Sequence, residues 1–204
     1  MIRGNVTVCG VIDRAATLKT NKKGEPFTSF SIKLNLPQSS GGAKACWISV
    51  SKDAISQEEL RLFIPGVRVE IQGGLSFHKD KEQIYLNLSA TNLQQTEYSR
   101  ADQLTGELDF YGVLGSAPET RTDKKGNPYI CFSAYSSEMV GEERAFTWVR
   151  FIQFSKPEIE TLVKGSHVHI TGTLDAQYYN SKLNLNSRIK SIEPWEKKNQ
   201  PEQQ

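Results

Sequence analysis

Trp148, Arg150, Ile152 and Phe154 are spaced two apart in the sequence. On a β-strand that spacing places side chains on one face, so an indole, a guanidinium and a phenyl ring would stand side by side. Such a face can stack on flat rings and hold anions; the competing reading is a half-buried core tryptophan. An earlier tryptophan, Trp47, heads the same spacing with Ser49, Ser51 and Asp53. No catalytic constellation accompanies them: the chain lacks a Gly-x-Ser-x-Gly elbow, a zincin motif, a P-loop and a dinucleotide fingerprint. His167 and His169 have the spacing of a His-x-His metal pair, but the third histidine, His78, lies far off in sequence. No metal and no cofactor is expected, and no enzymatic activity.

These residues sit in a chain that is written twice. Gly10-Val11-Ile12, Thr20 to Phe27 with Lys22-Lys23-Gly24, and Phe30-Ser31 recur as Gly112-Val113-Leu114, Thr122 to Tyr129 with Lys124-Lys125-Gly126, and Phe132-Ser133. Trp47-Ile48 recurs as Trp148-Val149. Gly66, Val69, Ile71, Gly73 and Leu75 recur as Gly165, Val168, Ile170, Gly172 and Leu174. Ordered blocks whose offset drifts only by small insertions indicate a tandem duplication. The counterpart of His167 and His169 in the first copy is Arg68 and Glu70, which weakens the metal reading further.

Each copy is built of short alternating runs. Phe30, Ile32, Leu34 and Leu36 alternate with polar residues, as do Val67, Val69 and Ile71, then Ile84, Leu86 and Leu88. That period predicts strands, and the Lys-Lys-Gly tips predict turns between them. Ser56 to Glu59 and Ser155 to Glu158 fit a Ser-x-x-Glu capping box, so one short helix per copy is expected after the third strand. The order strand, strand, strand, helix, strand, strand predicts an all-β fold of two tandem five-stranded OB-fold barrels, with a generic β-sandwich as the alternative. The expected division is residues 1–95 for the first barrel, 96–104 for a polar linker, 105–195 for the second barrel and 196–204 for a disordered tail.

The 204 residues carry 25 Lys and Arg against 23 Asp and Glu, a net of +2. Residues 1–101 hold 13 cations against 9 anions, and residues 102–204 hold 12 against 14. A balanced total therefore hides a first copy at +4 and a second at −2. Hydrophobic residues make up 37%, enough for a packed core. No apolar run approaches the roughly 18–20 residues of a membrane span, and no basic-then-apolar leader opens the chain, so a cytoplasmic protein without a membrane partner is expected. Cys9, Cys46 and Cys131 have no Cys-x-x-Cys spacing and are expected as buried free thiols.

The Phe-Ser strand after a Gly-tipped hairpin, the Trp-led strand, and Lys164-Gly165-Ser166-His167-Val168-His169-Ile170-Thr171-Gly172-Thr173-Leu174 carry a family likeness. With them the sequence resembles the bacterial single-stranded DNA-binding protein family in its tandem two-OB-fold form, over residues 4–94 and 105–193. Copy one departs from the pattern with Pro65 before Gly66. The resemblance implies a sequence-tolerant binder of single-stranded DNA, acting in DNA replication, repair or recombination. It would work through base stacking on aromatics and phosphate contacts from Lys and Arg.

Carried onto this chain, the resemblance makes Trp47 and Trp148 stacking platforms, with Arg150 and Phe154 beside the second. Alternation adds Lys33 and its counterpart Tyr135 on the second strand, and Arg68 on the fourth. Phe77 and Tyr179 follow the fourth strand, and Lys22, Lys23, Lys124 and Lys125 occupy the hairpin tips. The resemblance also implies that two chains pair as a homodimer to bring four barrels together. Protein partners are not named by the sequence. The family's cellular members end in an acidic, aromatic-tipped tail, and Glu196 to Gln204 has no such tip, which points either to a specialised or mobile-element paralogue or to partners that dock elsewhere. The rival reading is an OB module for protein–protein assembly in a replication or conjugation complex.

Overall fold

A computed structural model describes residues 1–81, 83–154 and 162–195. The first copy contains β1 (Ile2–Thr20), β2 (Pro26–Pro37), β3 (Ala43–Asp53), helix α1 (Gln57–Leu60), β4 (Arg68–Asp80) and β5 (Gln83–Gln95). The second contains β6 (Gln103–Leu114), β7 (Glu119–Thr122), β8 (Pro128–Val140), β9 (Glu143–Gln153), β10 (His167–Tyr179) and β11 (Lys182–Pro194). The capping box of α1 forms as its sequence dictates: Glu59 N–H donates to Ser56 Oγ at 3.1 Å, and Ser56 N–H to Glu59 Oε2 at 2.9 Å. The corresponding helix expected near Ser155 to Glu158 lies outside the described residues, as does the expected tail at 196–204. No described helix is long and apolar enough to cross a membrane.

In the first copy the strands run β2-β3-β5-β4-β1, and β1 pairs back with β2 to close the circuit. All pairs are antiparallel except β3 with β5. The second copy repeats this as β6-β10-β11-β9-β8, with β6 returning to β8 and β9 parallel to β11. This circuit, closed on itself with one parallel pair, is the five-stranded OB-type barrel. Closure demands sharp bends. In both copies the register of the fourth and fifth strands shifts beside a glycine, at Gln72/Gly73 and at Thr171/Gly172. A Cβ on Gly73 would sit 2.1 Å from Ser89 O, and on Gly172 2.3 Å from Arg188 O, so no other residue fits there without moving the backbone.

Alternation fills the interior. Ile12, Ile32, Leu34, Ile48, Ile71, Leu75 and Leu88 are fully buried in the first barrel. In the second barrel the buried rings pack on one another: Phe110 meets Phe151 edge-on at 5.0 Å, and Phe132 stacks on Phe151 at 5.5 Å. The three cysteines are free and buried.

The copies are joined through their first strands. β1 pairs antiparallel with β6 from Ile2↔Phe110 to Cys9↔Gln103, centred on Asn5↔Glu107. Asn5 and Glu107 are themselves counterparts in the repeat, so the junction has approximate two-fold symmetry. It merges both barrels into one eleven-stranded sheet and covers what would otherwise be two strand edges. Gln103 and Leu104, in the stretch expected as linker, already belong to β6, and Leu104 is buried. The preceding residues are pinned to the first barrel. Tyr98 Oη donates to Gly66 O at 2.6 Å, Arg100 pairs with Glu70, and Asp102 Oδ1 binds Arg68 at 2.5 Å.

One expectation of symmetry fails. The first strand of copy one is continuous to Thr20, bending through register shifts at Ile12/Arg14 and Arg14/Thr17. In copy two the same path is cut into β6 and β7 around Gly115 to Pro118. Pro118 has no N–H to give to a ladder.

Candidate nucleic-acid interface

β8 and β9 of the second barrel present a band of rings. Tyr135 and Trp148 are direct cross-strand partners with centroids 5.0 Å apart. Phe146, two residues before Trp148 on the same face, meets Tyr135 edge-on at 5.4 Å. Trp148 is 48% exposed and Phe146 41%, so neither ring is used up by the core. The indole lies over Gly115: a Cβ there would come 2.3 Å from Cζ3 of Trp148. The absence of a side chain on Gly115 leaves the space that the half-exposed indole occupies.

Arg150 follows on the same face and is exposed. Beyond it a second group of rings forms where Phe154, 52% exposed, stands 5.6 Å from Tyr129. The guanidinium of Arg188 lies 5.7 Å from the Phe154 ring, a cation–π distance that leaves a positive charge at the edge of the platform. The band therefore reads ring cluster, cation, ring pair, cation. At the adjoining hairpin, Asp123 Oδ1 accepts from the N–H groups of Lys125 and Asn127, both at 2.8 Å, and turns the exposed Lys124-Lys125 tip outward. Those backbone and side-chain donors hold the Asp123 carboxyl below its usual range.

The corresponding face of the first barrel is sparse. Trp47 is 53% exposed, and its cross-strand partner Lys33 places Nζ 5.9 Å from the indole centroid. Ser49, Ser51 and Asp53 continue the face with no second ring. The Lys22-Lys23 tip is exposed and held by Asn21 Oδ1, which accepts from Lys23 N–H at 2.9 Å.

Two expected contact residues are not on this surface. Arg68 is 8% exposed, because the chain between the barrels folds over it and Asp102 takes its guanidinium. Phe77 is 7% exposed and belongs to the core. It shares the inward phase of β4 with Ile71 and Leu75, which alternation alone requires. Tyr179 is 57% exposed at the β10 tip, while Tyr178 turns toward the first barrel. Of the histidine pair, His169 Nε2 lies 2.6 Å from Asp109 Oδ1 and its ring stacks on Tyr111 at 4.2 Å. Among the described residues no three His, Cys, Asp or Glu side chains gather around a metal-sized space.

Three members of the band were not singled out in the sequence: Phe146, Tyr129 and Arg188. Phe146 was open to detection, since it stands two residues before Trp148. Arg188 was not, because the β9–β11 pairing that brings it beside Phe154 is a long-range contact.

No family model matches the chain, and no curated protein does. Among solved structures, the chain is similar to the wild-type single-stranded DNA binding protein from Thermus aquaticus, at 16% identity and a TM-score of 0.49 over 98% of this chain and 96% of that one. A deletion mutant of the same protein gives 14% identity and a TM-score of 0.49, covering 98% of both chains. A mitochondrial single-stranded DNA binding protein of S. cerevisiae matches 43% of this chain and 91% of its own, at 23% identity and a TM-score of 0.35.

Proposed function

We propose that the protein binds single-stranded DNA without sequence preference, principally along β8 and β9 of the second barrel. The observation that carries this reading is the alternation of exposed rings and cations from Phe146 through Trp148 and Arg150 to Phe154 and Arg188. Unpaired bases offer flat faces to the rings, each stacked base contributing about 1–3 kcal/mol. Phosphates between the bases meet Arg150, Arg188 and the Lys124-Lys125 tip, and displaced counterions make the binding salt-dependent. Trp47, Lys33, Lys22 and Lys23 extend the path onto the first barrel, whose net charge is the more positive. Two chains pairing as a homodimer would place four barrels around one strand, in a role in replication, repair or recombination.

Oligo-dT titration followed by tryptophan fluorescence tests this. Quenching that salt reverses, without any product formed, is the expected result. Absence of quenching at low salt would overturn the reading. The assembly-module alternative draws support from Asp53, a carboxylate on the copy-one face where copy two carries Phe154; it applies if quenching is absent.

A further inference from the structure

We propose that the cleft between the two barrels beside Trp47 seats one nucleotide of the bound strand and is where the strand crosses from one copy to the other. The inference rests on the single-stranded DNA reading above and adds a subsite made by neither copy alone. The cleft holds about 460 Å³ and is lined by Lys44, Cys46, Trp47 and Tyr85 from the first copy and by Tyr178 and Lys182 from the second. Ligand clefts commonly span about 300–1,000 Å³.

The walls are fixed by contacts between the copies. Ser39 N–H donates to Tyr178 O at 2.9 Å, Lys44 Nζ to Ser181 O at 3.1 Å, and Tyr178 Oη to Ala45 O at 3.3 Å. Lys44 Nζ also stands 4.8 Å from the centroid of the Tyr178 ring. Tyr85 is 47% exposed, so its ring is not used up by the core, and its hydroxyl donates to Gln83 Oε1 at 3.0 Å. Rings for a base and cations for a phosphate therefore meet in one place.

The approximate two-fold provides an internal control. The position equivalent to Tyr178 in the first copy is Lys79, and the two-fold-related contact is built around a carboxylate. Lys79 N–H donates to Glu138 Oε1 at 3.0 Å, His78 Nδ1 lies 3.3 Å from the same carboxylate, and Lys79 Nζ donates to Phe146 O at 2.9 Å. A carboxylate facing that side repels phosphate. The described lining of the Trp47 cleft holds rings and cations and no carboxylate. Trp47 lacks the ring neighbours that Trp148 has in Tyr135 and Phe146, since their counterparts are Lys33 and Ala45. Tyr85 and Tyr178 take that place.

The test uses the full chain and an oligo-dT carrying 5-iodouracil, cross-linked by ultraviolet light, with adducts mapped by mass spectrometry. Adducts on the peptides holding Tyr85 or Tyr178 are expected. Tyr85→Ala, at an exposed ring, should weaken binding by about five-fold or more, the lower end for one stacked base, while Tyr85→Phe binds like the parent. If the parent binds oligo-dT but adducts map only to β8 and β9 and Tyr85→Ala binds unchanged, the cleft assignment is wrong and the function stands. If the parent does not bind oligo-dT, the function itself falls.

Discussion

The tryptophans of the two copies occupy equivalent places and live in different company. Trp148 lies over Gly115 among Tyr135 and Phe146, with Arg150 and Phe154 further along its face. Trp47 has Lys33 across the strand pair and then two serines and a carboxylate. Gly115 corresponds to Asp13 in the first copy, so even the surface beneath the indole differs. One barrel carries the rings and the other carries the net positive charge. A strand held by both would be gripped by stacking on one side and drawn by a diffuse field on the other.

The largest expected effect concerns how the first barrel is closed off. Arg68 and Asp102 leave only 9% and 16% of their side chains exposed, so Asp102→Ala strands a buried cation and should cost about 3 kcal/mol of stability. Denaturant melts check this. The charge removed lies on the first barrel's side of the comparison, and the ring band of the second should be left intact.

Next comes the pair of indoles. Trp148→Ala should lose about 2 kcal/mol of oligo-dT affinity and Trp47→Ala about 1 kcal/mol, within the range for a stacked base. Equal losses would break the asymmetry argued for the two faces. Gly115→Val sharpens it without removing any ring. The new side chain would collide with the indole of Trp148, and oligo-dT affinity should fall by roughly 1 kcal/mol while Trp47 is untouched.

Smaller still is the effect of Arg150→Ala, which should lower the slope of log affinity against log salt by about 0.7, the single-strand value for one phosphate contact. Titrations at several salt concentrations read it directly.

The smallest effect is one of pH. Burial raises the Asp102 carboxyl, but hydrogen bonds from Asn35 N–H and the Arg68 guanidinium outweigh it, and the net displacement is downward. A lowered carboxylate adds stability above its unfolded value of about 3.9 and loses it as pH falls through the folded value. Melting temperatures should therefore hold from neutral pH to about 5 and drop below 4. Asp102→Asn should flatten that drop.

Local rules written into the chain made much of this legible. The repeat, the period-two runs, the glycine-tipped turns and the Ser56–Glu59 capping box each depend on residues a few positions apart. The exposed faces of Trp47 and Trp148 followed from alternation. Arg68 was misread for a physical reason: its phase on β4 is outward, and only the fold of a segment 34 residues later covers it. Phe77 is a different case, since the phase of Ile71 and Leu75 already assigned it to the interior. The role of Gly115 left no trace, because a missing side chain shows its purpose only when the neighbour that occupies the space is seen.

The pairing of β1 with β6 carries a genetic consequence. When two identical chains meet about a two-fold axis, every substitution appears on both sides at once. Here the axis runs through a single polypeptide, centred on Asn5 and Glu107, and each side can change alone. Gly115 can sit beneath one tryptophan and Asp13 occupy the matching position in the other copy. Covalent fusion keeps the partners at high effective concentration through such divergence. Symmetry that in a dimer would forbid a division of labour becomes, within one gene product, a starting point from which two halves can specialise.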